Sequence, residues 1–506
     1  MMKKINKVLL YLSISILPAL SCTKQISLVP TSSISSSSFW KTENDATSGL
    51  FGMYARFRLV TAANLFLWGE ARSQDMNQSK GNDAANLRTF ANTLDATAAG
   101  PDWTTLYQVV NDANLILQNV PNIKFVSVNN KNRILAEAYA MRAFCYFVMV
   151  KTWGPVPIVT ESVQGYDPSK IYKERSTVPQ VFAFVKGNID SALSLFSDNN
   201  FTTGRNRWSK PAANALKGDV YLWTGKILAG GSPDFTVALN ALSAIDSSNV
   251  SLLPDFGTVF NYNNKGNNEI IMASNFTEYE LMNPGGTVAD LNNQTFMVNM
   301  YIDAFPPKAS PAQIATIAPV NAGGGNYWTL SDQTRNNFSN DDSRKSASFY
   351  ELVSADPITG LFTVFNYCVQ RKFDGLVDAG NRLFLDDVVL YRYGDILLLK
   401  AEAKNALAMD PSLEINKVRQ RAYGTNYPTH VFISTSADQN DSLILNERSL
   451  ELLYEGKRWW DIVRFGKASV LIPFFKNNPG NQYKYLWPLS LNILSLEPKV
   501  TQNPGY

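Results

Sequence analysis

The stretch EGKRWWDIVRFG, Glu455–Gly466, sets two adjacent tryptophans among three basic residues and two acids. Two readings compete. Trp459 and Trp460 could stack on a ligand while Arg458 and Arg464 clamp it, or the segment could be core helix with its charges paired. Helical spacing supports the second. Glu447 and Glu451, Glu451 and Glu455, and Asp461 and Arg464 each fall three or four residues apart, on shared helical faces. Arg448 lies three before Glu451, and Arg458 lies three from both Glu455 and Asp461. Buried carboxylates and guanidiniums need partners, and this register supplies them. The segment reads as scaffold, with both tryptophans as core side chains.

Working outward, helical periodicity dominates. Ile134, Ala138, Met141, Cys145 and Val148 recur at alternating spacings of three and four, as do Ala213, Leu216, Val220, Trp223 and Ile227. Leu390, Tyr393, Leu397 and Ala401 form a third stripe. Such stripes mark amphipathic helices facing a core. Alanines and glycines within them predict close helix–helix approach, as in helix-hairpin repeats, although no fixed repeat period is visible. Between the helices run long polar segments rich in Gly and Asn, chiefly 71–102 and most of 254–345. Loops of that length inside a domain are usually functional.

The chain has 506 residues, 45% of them apolar and 18% charged, enough for a large core. Its formal charge is +3, but Lys3, Lys4 and Lys7 account for that excess, and the remaining basic residues match the 43 acids. Neutrality without a basic run argues against nucleic acid as a partner. The N-terminus reads as an export signal: MMKKINK is the positive region and VLLYLSISILPAL an apolar run shorter than the roughly 20 residues a bilayer span needs. It ends in ALSC, which resembles a bacterial lipoprotein signal with Cys22 as the lipidated residue; Ala19 stands where leucine is usual. The Ser-rich stretch that follows reads as a tether. Cys145 and Cys368 sit in apolar surroundings and read as buried free thiols.

Seven stretches, in order, together carry a family resemblance. FWKTENDATSGLFGMY, AEAYAMRAFCYFVMVKTWGPVPIV, NRWSKPAANALKGDVYL, YRYGDILLLKAEAKNAL, INKVRQRAYG, LNERSLELLYEGKRWWDIVRFG and the terminal YLWPLSLNILSLEPKVTQNPGY resemble the RagB/SusD family. The resemblance spans the chain from Cys22 to Tyr506. It implies a mainly α fold: a tetratricopeptide-like helix-hairpin scaffold with long irregular loops and minor β structure. It also implies a lipid-anchored outer-membrane protein at the cell surface that captures oligosaccharide, or in some members peptide, and delivers it to a SusC-like TonB-dependent transporter. The implied layout is a signal peptide over 1–21, a tether over 22–38, and one intertwined unit made of 39–253 and 254–506. In the family, the segment around EGKRWWDIVRFG belongs to the shared scaffold.

Catalysis finds little support. The single histidine, His430, has no nucleophile motif nearby, and no HExxH, GxSxG or GxxxxGK[ST] occurs. Asp341-Asp342 before Ser343-Arg344 reads as a loop-pinning pair, and Asp386-Asp387 as helix caps. No metal-ligand spacing stands out, and no cofactor is expected. A protein-binding helical scaffold without a small ligand is the remaining rival.

Sugar sites pair a flat aromatic with Asp, Asn, Gln or Arg, and two loops meet that description. In PVNAGGGNYWTL, Asn326, Tyr327 and Trp328 follow three glycines. In LFLWGEARSQDMN and TFANTLDATAAGPDW, the polar candidates are Arg72, Asp75, Asn77 and Asn92, with Trp68 and Phe90 as aromatics. Trp328 is the expected stacking platform. Trp103 and Tyr107 read as structural, and Tyr279 and Tyr301 flank a further loop.

Overall fold

Helices begin where the sequence supplies caps. In the computed structural model, which describes residues 39–79, 86–163, 167–277, 296–320 and 326–506, Thr42 opens α1 (Glu43–Leu59) through a reciprocal capping box with Asp45. A short α2 (Leu65–Gly69) follows, then β1 (Met76–Gln78) and α3 (Thr104–Asn119). Ser127 caps α4 (Val128–Trp153), and Thr177 with Gln180 forms a second capping box at α5 (Val178–Leu195). Ser209 caps α6 (Lys210–Ile227), which precedes α7 (Gly231–Ala244) and β2 (Ile270–Ser274).

Neighbouring helices pack in sequence order, α3 on α4, α4 on α5, α5 on α6 and α6 on α7. This is the stacked-hairpin arrangement expected of a helical-repeat scaffold. Close approach follows from small residues: a Cβ at Gly218 of α6 would sit 2.4 Å from Leu242 of α7. The stripes through α4 and α6 are buried as the periodicity predicts, except that Ile227 at the end of α6 is 41% exposed.

The second half adds β3 (Trp328–Leu330), β4 (Phe349–Ala355), β5 (Phe362–Gln370), β6 (Leu376–Asp378), β7 (Asn381–Leu383) and β8 (Val388–Arg392). Among the described residues the strands form four two-stranded antiparallel sheets: β1–β3, β2–β8, β4–β5 and β6–β7. Four helices complete the scaffold: α8 (Tyr393–Ala406), α9 (Ser412–Tyr423), α10 (Ala437–Glu451) and α11 (Arg458–Arg464). Leu397, Ile415, Val418, Ile444 and Phe465 share one core cluster among them. Residues Thr42–Tyr506 form one compact unit.

Three sequence readings are corrected here. The stripe starting at Leu390 is not one helix, because VVLYR is strand β8, buried along its whole length against β2, and the helix starts only at Tyr393. Asp386 and Asp387 therefore precede a strand and cap no helix. Asp386 accepts from Gly375 N (2.7 Å), and Asp387 accepts from Phe276 N (3.2 Å) and pairs with Lys265 (2.8 Å). Asp342 instead N-caps a short helix, Ser343–Ser348: it accepts from Arg344 N (2.9 Å) and ion-pairs the Arg344 guanidinium at 2.7 Å. Cys145 and Cys368 are buried free thiols.

EGKRWWDIVRFG is scaffold, but not through the local register. The chain turns between α10 and α11, with Tyr454 at φ 68° and Gly456 at φ 69°. Only Asp461–Arg464 survives as a pair within the segment, at 2.8 Å. The other charges find distant partners. Arg448 donates to Asp461 and Asp395, both at 2.8 Å, and Arg464 donates to Glu402 at 2.8 Å. Arg392 at the end of β8 reaches Glu269 (2.9 Å), Glu451 (2.6 Å) and Glu455 (2.8 Å). Both tryptophans are buried, and cations from inside the fold already cover them. The Arg72 guanidinium lies 4.4 Å from the Trp459 ring centroid, and Lys151 Nζ lies 4.0 Å from that of Trp460. No ring face is left for a ligand.

Candidate ligand-binding site

The two loops singled out in the sequence meet in the fold. β1 pairs with β3 in the register Met76↔Leu330, Asn77↔Thr329 and Gln78↔Trp328. Strand alternation then sorts the side chains. Met76, Trp328 and Leu330 turn inward and are buried, whereas Asn77 is exposed and Thr329 is half-buried.

Trp328 is thereby corrected from loop platform to core residue, with only 1% of its surface exposed. The extended backbone of WTL, held by β1, aims every second side chain into the protein. Its ring lies parallel to Phe66 at 5.5 Å, and Phe66 stacks in turn on Phe296 at 4.6 Å. Phe90 packs against Trp328 at 5.6 Å and is itself half-buried, so this row of rings reaches the surface at Phe90.

Other candidates hold the loops in shape. Asp75, fully buried, accepts from Thr334 Oγ1 (2.7 Å) and Ser449 Oγ (3.2 Å); burial pushes its pKa up. Arg72, also fully buried, donates from Nε to Asn92 Oδ1 (2.9 Å), and burial lowers its pKa to about 10. Asn92 returns a bond from Nδ2 to Arg72 O (3.1 Å) and sits at φ 57°, a left-handed conformation that Asn tolerates. Trp68 Nε1 donates to Pro101 O (3.0 Å) from a buried position. Asn326 is buried, and its N–H donates to Tyr301 O (2.9 Å). Tyr301 is buried too, its hydroxyl donating to Ile317 O at 3.0 Å, whereas Tyr279 lies outside the described residues. Six of the eight candidates thus shape the site from beneath rather than face solvent.

What remains accessible is a rim. Asn77 is exposed and Tyr327 and Phe90 are half-buried. Beside them Leu87 is 50% exposed and Arg88 forms a surface ion pair with Asp95. Partly exposed aromatic rings, an amide and a guanidinium are the group types that suit a ligand with apolar C–H faces ringed by hydroxyls. Leu87 and Arg88 went unnoticed in the sequence, where nothing sets them apart from other surface residues.

Two family models match the chain: the SusD family over residues 256–472, and the family described as "Starch-binding associating with outer membrane" over residues 37–222. SusD-like protein P38 of Formosa agariphila is 28% identical over 520 residues, covering 96% of each chain. Among solved structures, B. fragilis NanU superposes with a TM-score of 0.81 at 30% identity, covering 94% of this chain and 99% of its own. A SusD superfamily protein from Bacteroides vulgatus superposes with a TM-score of 0.80 at 26% identity, covering 92% and 100%. The chain belongs to the SusD family.

Proposed function

We propose that this protein is a non-catalytic, cell-surface glycan-binding lipoprotein of the outer membrane. In this reading it captures oligosaccharide on the β1–β3 rim and passes it to a SusC-like TonB-dependent transporter. The observation that carries the ligand class is the exposed chemistry of this region: Phe90, half-buried and backed by the Trp328–Phe66–Phe296 row, with Tyr327 half-buried and Asn77 exposed on the paired strands. A rigidly backed ring loses little freedom on stacking. Family membership supports the reading, as do two neighbours in fold. One is a "Laminarin binding SusD-like protein" (TM-score 0.74, 22% identity), the other surface glycan-binding protein A from Bacteroides fluxus (0.72, 20%).

The test is calorimetry of the chain lacking residues 1–22 against starch- and laminarin-derived oligosaccharides. Phe90→Ala and Tyr327→Ala should each remove a stacking contact of about 1–3 kcal/mol, weakening Kd about five- to two-hundredfold. Unchanged affinity in both variants would place the glycan elsewhere.

A further inference from the structure

A second opening lies away from the rim and shares no residue with it. It is a cleft of ≈ 400 Å³ between α3, the segment 157–173 and the last helix, Leu491–Leu496. That volume falls in the range of small-molecule sites. Its walls are chiefly apolar, with Tyr107, Val159, Ile171, Ile493 and Leu496 among them. Val163 is 47% and Leu496 59% exposed, so both stand at the mouth. Buried Trp103 lies at the base, edge-on to Tyr107 at 5.8 Å and to Trp153 at 5.8 Å. The walls are fixed before anything enters. Tyr107 Oη donates to Pro157 O (2.6 Å), Asn114 Nδ2 donates to Val159 O (3.0 Å), and Asn111 Oδ1 accepts from Val163 N (2.8 Å).

Two charges in the lining set this cleft apart from an ordinary apolar groove. Lys173 and Glu497 are each half-buried, and among the described residues neither side chain forms a hydrogen bond or an ion pair. Glu497 meets burial without compensation, which pushes its pKa up. The other charges of the cleft answer each other, because Arg56 Nε donates to Asp112 at 2.6 Å. These features select the occupant. A hydrocarbon would strip water from Lys173 and Glu497 and return nothing. A fatty carboxylate would answer Lys173 and be repelled by Glu497, and an apolar amine would do the reverse. A sugar would find no open indole face, since Trp103 is 3% exposed. A small molecule with both an ammonium and a carboxylate on an apolar body meets every demand.

We propose that this cleft binds an apolar zwitterion with the chemistry of an aliphatic dipeptide. Its ammonium pairs with Glu497, its carboxylate pairs with Lys173, and its side chains enter the apolar walls. The site is independent of the glycan reading, since no residue is common to the cleft and the rim.

The test is calorimetry of the chain lacking residues 1–22, which keeps the compact unit Thr42–Tyr506 whole, with L-leucyl-L-leucine as the probe. Three relatives of the probe each lack one feature: the N-acetylated form lacks the ammonium, the C-terminal amide lacks the carboxylate, and glycylglycine lacks the apolar side chains. The dipeptide should bind, each charge-deleted form should bind roughly tenfold more weakly, and glycylglycine should give no heat. In Glu497→Gln the dipeptide should weaken roughly tenfold, and acetylation should then cost nothing further. In Lys173→Met the same should hold for amidation. Both side chains are half-buried and unpaired, so the two variants should keep the Tm of the parent chain. Phe90→Ala should leave all of these affinities unchanged. No heat from L-leucyl-L-leucine overturns the proposal, as does equal binding of its acetylated or amidated form. Binding indifferent to both Glu497→Gln and Lys173→Met overturns it too, because the dipeptide would then sit elsewhere.

Discussion

Single residues change meaning once their neighbours are known. Trp328 follows a glycine run, which suggests an exposed ring, yet it is held between Phe66 and Phe90 in the core. Trp328→Ala should therefore cost about 3–5 kcal/mol of stability, as large-to-small changes at buried aromatics do. Phe90→Ala, at the half-buried end of the row, should cost much less. Thermal melts of the two variants check this, and equal losses would contradict the stacked order. Acidic residues of the scaffold supply a second prediction. Burial opposes ionisation of Asp395 and Glu402, but Lys457 and Arg448 for the first, and Arg464 and Lys226 for the second, outweigh it and hold both at about 2. Their ordinary values are 3.8 and 4.5. A folded value depressed below the unfolded one gives stability that is complete above the unfolded value and is lost as pH falls through the folded one. Tm should drop as pH falls from 4.5 to about 2. A flat Tm across that window would show that these pairs contribute nothing.

At the scale of elements, the joint between α10 and α11 decides how EGKRWWDIVRFG is used. Glu70, just after α2, accepts from Tyr454 N (3.1 Å), Lys457 N (3.1 Å) and Arg458 N (3.3 Å), so one carboxylate holds the turn. Burial and nearby Asp75 push Glu70 up to about 8 even against those three amides. The same joint needs Gly69, because a Cβ there would fall 1.9 Å from Gly456 O. A backbone atom cannot rotate away, so α2 and the turn would have to separate. Gly69→Ala, normally favourable in a helix by up to about 1 kcal/mol, should here destabilise by about 1–3 kcal/mol or more. Denaturant unfolding reads the sign directly, and a stabilised variant would refute the close contact. The β8–α8 boundary shows a related limit of periodicity. Leu390 fits a helical stripe by spacing, but its five-residue run is claimed by pairing with β2.

For the whole molecule, the proposed reading assigns ligand capture to the loops carried by the stacked helix hairpins and attachment to the N-terminus. Cys22 lies outside the described residues, so its role rests on the sequence. More than one acyl chain makes anchoring stable, and Cys22→Ser should release the protein from membranes. Fractionation in cells lacking the proposed transporter tests this; a variant still found in the outer membrane would refute the anchor.

Much of this was legible in the chain alone. The helices of the first two stripes, the scaffold role of Trp459 and Trp460 and the family itself follow from local spacing and short motifs, which need no knowledge of distant residues. The two candidate loops were each picked out because both carry aromatic and amide residues in long polar excursions; that β1 and β3 pair and bring them together was not legible. Which of their side chains face solvent was not legible. The partner strand sets that: β1 against β3 buries Trp328 and leaves Asn77 outside. Long-range pairing likewise assigned Glu451 to Arg344, Arg392 and Arg421, residues 30 to 107 positions away, instead of to its helical neighbours. A buried charge takes whichever partner the packed fold brings within hydrogen-bond reach, and only the tertiary structure decides which that is.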